Sequence, residues 1–137
     1  MAEKEKEELQ LSQEGTFTEL KDKELIEEVI ERVVKKKGYE HIKANLPGYE
    51  QPTSFTNADD GNKLIPDVTA QRFGRKSYFE ISIKNDQKQK VVNKWKLING
   101  LAKAQDGKFH LIAPRGSFAF TKRICDEYNI DANIIKF

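Results

Sequence analysis

Leu64-Ile65-Pro66-Asp67-Val68-Thr69, then a turn around Gly74-Arg75-Lys76, then Tyr78-Phe79-Glu80-Ile81-Ser82-Ile83-Lys84 is the stretch on which the fold depends. Along a strand, successive side chains point to opposite faces. Phe79, Ile81 and Ile83 therefore share one face, and Glu80, Ser82 and Lys84 share the other. The two runs, Leu64–Phe73 and Tyr78–Lys84, read as a β-hairpin. With the turn centred near Arg75-Lys76, antiparallel pairing sets Asp67 opposite Lys84, Thr69 opposite Ser82 and Gln71 opposite Glu80. A line of polar side chains then crosses two adjacent central strands. Polar groups in such positions are costly unless they are satisfied or used.

Outward from the hairpin, the rest of the chain alternates between helical and strand patterns. Leu25, Ile26, Val29, Ile30, Val33 and Val34 recur at three- and four-residue spacing, which predicts a helix over about Phe17 to Lys37. Thr16 and Glu19 have capping-box spacing at its start, and Lys35-Lys36-Lys37-Gly38 suits its end. Tyr39–Leu46 reads as a strand, broken by Pro47-Gly48, and Tyr49–Asn62 as a polar loop. After the hairpin come a helix over Lys88–Ala104, a nearly all-apolar strand over Phe109–Ala113, a helix over Phe118–Tyr128 and a strand over Ala132–Phe137. The order α-β-β-β-α-β-α-β implies an α/β domain over residues 16–137, with a central mixed β-sheet flanked by helices. Residues 1–15 form a polar lead-in.

A Pro-Asp on one strand, followed on the next by an acidic residue and a lysine before a helix, resembles the PD-(D/E)XK nuclease superfamily. The resemblance implies the restriction-endonuclease-like fold over about Thr18 to Phe137. It implies a metal-dependent DNA endonuclease that hydrolyses phosphodiester bonds with Mg²⁺ or Mn²⁺. Asp67 and Glu80 would hold the metal, and Lys84 would position the attacking water. Glu27, eleven residues before Gly38 on the first helix, resembles the glutamate of the archaeal Holliday-junction resolvases. The resemblance makes Glu27 a further catalytic and metal-binding candidate. The chemistry is coherent, because Mg²⁺ needs only a few carboxylate oxygens and keeps several waters, and a lysine adds positive charge where the transition state gains negative charge.

The usual spacing is acidic-X-Lys, and here Ser82 stands two before Lys84 while Glu80 stands four before it. Three readings follow. Glu80 reaches the metal from a displaced position, Glu27 substitutes for it, or the site is degenerate and the fold is a nucleic-acid-binding or assembly module that does not cut. A structural ion pair between Asp67 and Lys84 is the competing bland reading.

Composition sets the outer limits. A chain of 137 residues fits one domain, and a net charge of +2 hides an uneven spread. Met1–Glu31 is mostly acidic, whereas Arg72–Lys108 carries ten cations against Glu80, Asp86 and Asp106. That asymmetry suggests a face that meets polyanions, or equally a solvated Lys-rich helix face; the resemblance makes the polyanion DNA, contacted by Lys88, Lys90, Lys94, Lys96 and Arg115. No apolar run approaches the roughly 18 residues of a membrane span, and Met1–Gln13 lacks the apolar core of a secretory signal, so a cytoplasmic location is expected. The single cysteine, Cys125, excludes an internal disulfide framework and a Cys-rich zinc site, and reads as a core residue. His41 and His110 read as structural, and Trp95 as core. Asp59-Asp60-Gly61-Asn62 reads as a turn, not a calcium loop, and Pro114-Arg115-Gly116-Ser117 lacks the ending of a P-loop. Members of this fold that cut both strands often act as dimers, which makes a homodimer an expectation of the resemblance.

Overall fold

The computed structural model describes residues 21–58, 61 and 63–137. The polar lead-in, the Thr16–Glu19 capping box and most of the Asp59–Asn62 turn lie outside them. The first helix, α1, spans Lys23–Val29 and continues as a π-helical stretch over Ile30–Val34. It does not run unbroken from Phe17, because Asp22 is extended (φ −64°, ψ 124°) and its carboxylate accepts the Glu24 N–H at 3.0 Å. That is N-cap chemistry, which ends a helix rather than continuing one. Strands β1 (Glu40–Ala44), β2 (Phe55–Thr56), β3 (Lys63–Leu64), β4 (Val68–Arg72) and β5 (Arg75–Ile81) follow. Helix α2 spans Lys88–Ala104, β6 Lys108–Ala113, α3 Phe118–Tyr128 and β7 Asn133–Lys136.

Five strands form one mixed sheet in the order β1-β4-β5-β6-β7. β1, β4 and β5 pair antiparallel, and β5, β6 and β7 pair parallel. β2 and β3 make a separate two-stranded ribbon inside what sequence reading treats as loop and strand. The expected strand Leu64–Phe73 is divided because Pro66 has no N–H to donate, and ladder pairing resumes only at Val68.

The sheet is covered on both faces. Ile26, Val29, Ile30, Val33 and Val34 of the first helix pack on Val68, Ala70, Phe79, Ile81 and Ile112. Val91, Trp95 and Ile98 of α2 and Ile124 and Cys125 of α3 pack with Tyr78, Phe109 and Leu111. β5 is central and shielded from water on both sides from Ser77 onward. Asp67, Glu80 and Ser82 are therefore set in the interior, where polar groups must find partners.

The hairpin register differs from the expected one. β4 and β5 meet through a two-residue turn at Phe73-Gly74, both in left-handed conformation (φ 54° and 75°), and Arg72 pairs with Arg75. Two consecutive positive φ values make a type I′ turn, whose twist matches that of the flanking strands. The turn closes earlier than a centre at Arg75-Lys76 requires. Thr69 faces Tyr78, Gln71 faces Lys76 and Val68 faces Phe79. By continuation of that register, Asp67 meets Glu80, not Lys84.

Candidate active site

Asp67 sits where the chain enters β4, and Glu80 sits near the end of β5, so the register brings the two carboxylates to the same level. Backbone hydrogen bonds fix both. The Asp67 N–H donates to Glu80 Oε1 at 3.0 Å, and the Ile81 N–H donates to Asp67 Oδ2 at 2.8 Å. Each carboxylate thus takes the place of a strand partner for the other's neighbourhood, which holds both side chains in single orientations.

Among the described residues, two ammonium groups join the cluster. Lys21 Nζ lies 2.5 Å from Asp67 Oδ2 and 3.2 Å from Glu80 Oε2, bridging the two acids. Lys94 Nζ, from α2, lies 2.7 Å from Glu80 Oε2. All four side chains are almost completely withdrawn from water, Glu80 entirely. Charges in such surroundings persist only when paired and hydrogen-bonded, and this quartet meets that condition.

Neither lysine was singled out for this role from the sequence, although Lys94 left a signal. It lies between Val91, Trp95 and Ile98 on the buried stripe of α2. A lysine on an apolar stripe has to reach a buried anion. Read as part of the basic surface, Lys94 belongs instead to the interior, at 3% exposure. Lys21 left none, since it stands before the first periodic residue.

The other expected residues are placed as follows. Lys84 is exposed and lies beyond the end of β5, where its N–H donates to Ser117 Oγ at 3.1 Å. Glu27 is exposed on α1, in an open groove lined also by Glu24, Glu28 and Glu31 and by neither Asp67 nor Glu80. Ser82 is buried, and its hydroxyl is 2.5 Å from that of Thr121, which donates to the Ser117 carbonyl at 2.7 Å. Ser82 thereby ties the chain just past β5 to the start of α3. Lys88 is paired with Glu127 at 3.0 Å and, with Lys96, lies over the Tyr128 ring. Lys90, Lys96 and Arg115 are exposed.

His110 is buried and stacked on Phe79, with ring centroids 4.7 Å apart. Burial pushes its pKa down to about 4, helped by the charges of Lys37, Lys108 and Arg72. Burial pushes the Cys125 thiol up to about 11, Asp126 adding to the effect, so it stays protonated and packs as a core residue. These outcomes agree with a structural reading of both.

The donor set suits a hard cation. Lys21 Nζ touches a carboxylate oxygen from each acid, and a Mg²⁺ ion would need only one or two carboxylates, with water and phosphate oxygens for the rest. Among the described residues, no group of three or more Asp, Glu, His or Cys side chains converges on one point. A metal here would, among the described residues, rest on the pair alone. Among the described residues, no helix is long and apolar enough to cross a membrane. No family model, curated protein or solved structure matches the chain.

Proposed function

We propose that the protein is a metal-dependent DNA endonuclease of the PD-(D/E)XK kind, with its site at Asp67 and Glu80. The observation that carries this reading is the pairing of two buried carboxylates at one level of adjacent central strands, bridged by a single cation. Asp67 and Glu80 would hold Mg²⁺ or Mn²⁺ where the Lys21 ammonium now sits. A divalent ion held there would supply a water of lowered pKa and offset charge on a phosphate. Lys94 takes the part that spacing assigns to Lys84, placing positive charge beside Glu80 where the transition state becomes more negative. Lys90, Lys96 and Arg115 supply exposed cations for the DNA backbone.

A second reading has its own support. Among the described residues, Lys21 and Lys94 match the charge of Asp67 and Glu80, as in a purely structural cluster. On that reading the fold binds nucleic acid without cutting it. Incubation with plasmid, linear duplex and branched DNA, with and without Mg²⁺ or Mn²⁺, separates the two. The nuclease reading expects metal-dependent cleavage that Asp67→Asn abolishes and Lys94→Ala slows, while binding at low salt persists in both. Binding without cleavage of any DNA form establishes the second reading.

A further inference from the structure

The tip of the β4–β5 hairpin holds a side chain that the fold does not need. Phe73 is 89% exposed, the one exposed large apolar side chain among the described residues. It also adopts φ 54°, a conformation strained for a bulky residue. A type I′ turn takes Asn at this place without that strain. The hairpin therefore carries an aromatic ring into water at a conformational cost.

The ring is not isolated. His110 stacks on Phe79 at 4.7 Å, and Phe79 meets Tyr39 at 5.1 Å. The Arg72 guanidinium lies 4.9 Å from the Tyr39 ring centre and 5.3 Å from that of Phe73. Arg72 is held there by a hydrogen bond from Nη1 to the Lys37 carbonyl at 2.7 Å. A chain of ring and guanidinium contacts, stacked at His110–Phe79 and tilted by 56° at Phe79–Tyr39, thus runs from the interior to the surface and ends on Phe73. Beside it lies an open groove of about 490 Å³ lined by Lys37, His41 and Arg72, with Glu40 its one carboxylate. Lys36 and Lys76 add positive charge nearby in the chain, and Arg75 is matched by Asp106 at 3.2 Å.

We infer that Phe73 is a stacking platform for an unpaired base of single-stranded nucleic acid, with Lys37 and Arg72 facing its phosphates. A base stacked on Phe73 adds one more contact to that chain, and a flat ring flanked by cations is the recurring way to hold such strands without sequence preference. One ring offers far too little apolar area to hold a protein partner, which needs on the order of 1,200 Å² of buried surface or more. The platform lies about 20 Å from Asp67 and Glu80, six residues along the strands, so it is a separate contact from the cleavage site. The inference shares with the nuclease reading only its nucleic-acid partner and needs none of its metal chemistry.

The test is fluorescence anisotropy with labelled oligo-dT, the same oligonucleotide with abasic sites, and a duplex, in metal-free low-salt buffer. Phe73→Asn is the variant, with Phe73→Trp as the conservative control. We expect Phe73→Asn to bind oligo-dT about tenfold more weakly, Phe73→Trp to bind like the wild type, and the difference to vanish on the abasic strand. Phe73→Asn should also unfold at higher temperature than the wild type, because it relieves the turn. Equal affinity of Phe73→Asn and wild type for oligo-dT overturns the inference and leaves the nuclease reading standing. Absence of wild-type binding to every DNA form overturns both.

Discussion

Both oxygens of the Glu80 carboxylate are engaged, Oε1 by the Asp67 N–H and Oε2 by Lys94 and Lys21, and the side chain has no surface left for water. Removing one partner from such a cluster leaves buried charge without compensation, which costs more than the intact pair contributes. Lys94→Met should therefore destabilise the protein by about 3–5 kcal/mol in urea unfolding. Glu80→Gln combined with Lys94→Met should be less damaging than Lys94→Met alone, because the orphaned charge is gone. A Lys94→Met protein as stable as the wild type would show that the ammonium is not what satisfies Glu80. At this scale the sequence was partly legible. The exceptional character of Asp67 and Glu80 could be read from their apolar surroundings, and Lys94 could have been found on the Val91–Ile98 stripe. The pairing of Lys84 with Asp67 was misread because pairing across the hairpin depends on where the turn closes, not on motif spacing.

At the scale of elements, α2 and α3 were legible to the residue because their 3.6-residue periodicity is uninterrupted from Lys88 to Ala104 and from Phe118 to Tyr128. The first helix was only partly so. Its apolar stripe is correct, but Asp22 caps it at Lys23 and a π-helical stretch carries its second half. The hairpin register was not legible, since nothing in the sequence announces that a phenylalanine takes the first place of a type I′ turn. The crossover from α2 to β6 depends on a further local feature. A Cβ added to Gly107 would fall 2.4 Å from the Lys76 carbonyl oxygen, a backbone atom that cannot swing aside. Gly107→Ala should cost about 1–3 kcal/mol, as overpacking does. Gly100, exposed within α2, meets nothing within 4 Å, so Gly100→Ala should stabilise by about 0.5–1 kcal/mol through helix propensity. Chemical denaturation of the two variants checks the opposite signs, and a neutral Gly107→Ala would mean that the strand and the crossover part easily.

For the whole molecule, the sheet is filled on both faces and a neutral histidine is closed into it. His110 Nδ1 lies 3.1 Å from the Asn133 amide nitrogen, an arrangement that suits a neutral ring accepting there. In the unfolded chain it takes up a proton near pH 6.5, and in the folded protein only near about 4. Within that window the unfolded state binds the extra proton. The contribution of the neutral ring is complete above the window and is lost as pH falls through it, on the order of 1–3 kcal/mol. Stability measured across this range should fall more for the wild type than for His110→Gln, and parallel pH profiles would contradict the burial of the neutral ring. The three-layer arrangement was legible from the order of patterns, but the β2–β3 ribbon was not, because two-residue strands leave no periodicity to read.

We propose that Asp67 and Glu80 form a divalent-cation site that Lys21 otherwise fills. Mn²⁺ binding followed by electron paramagnetic resonance tests it without reference to turnover, using wild type, Lys21→Met, and Lys21→Met with Asp67→Asn. Lys21→Met should bind one Mn²⁺ per chain at least tenfold more tightly than wild type, since a competing ammonium has been removed, and adding Asp67→Asn should abolish that site. Failure of Lys21→Met to bind Mn²⁺ in an Asp67-dependent way, with the fold intact by circular dichroism, would contradict the claim.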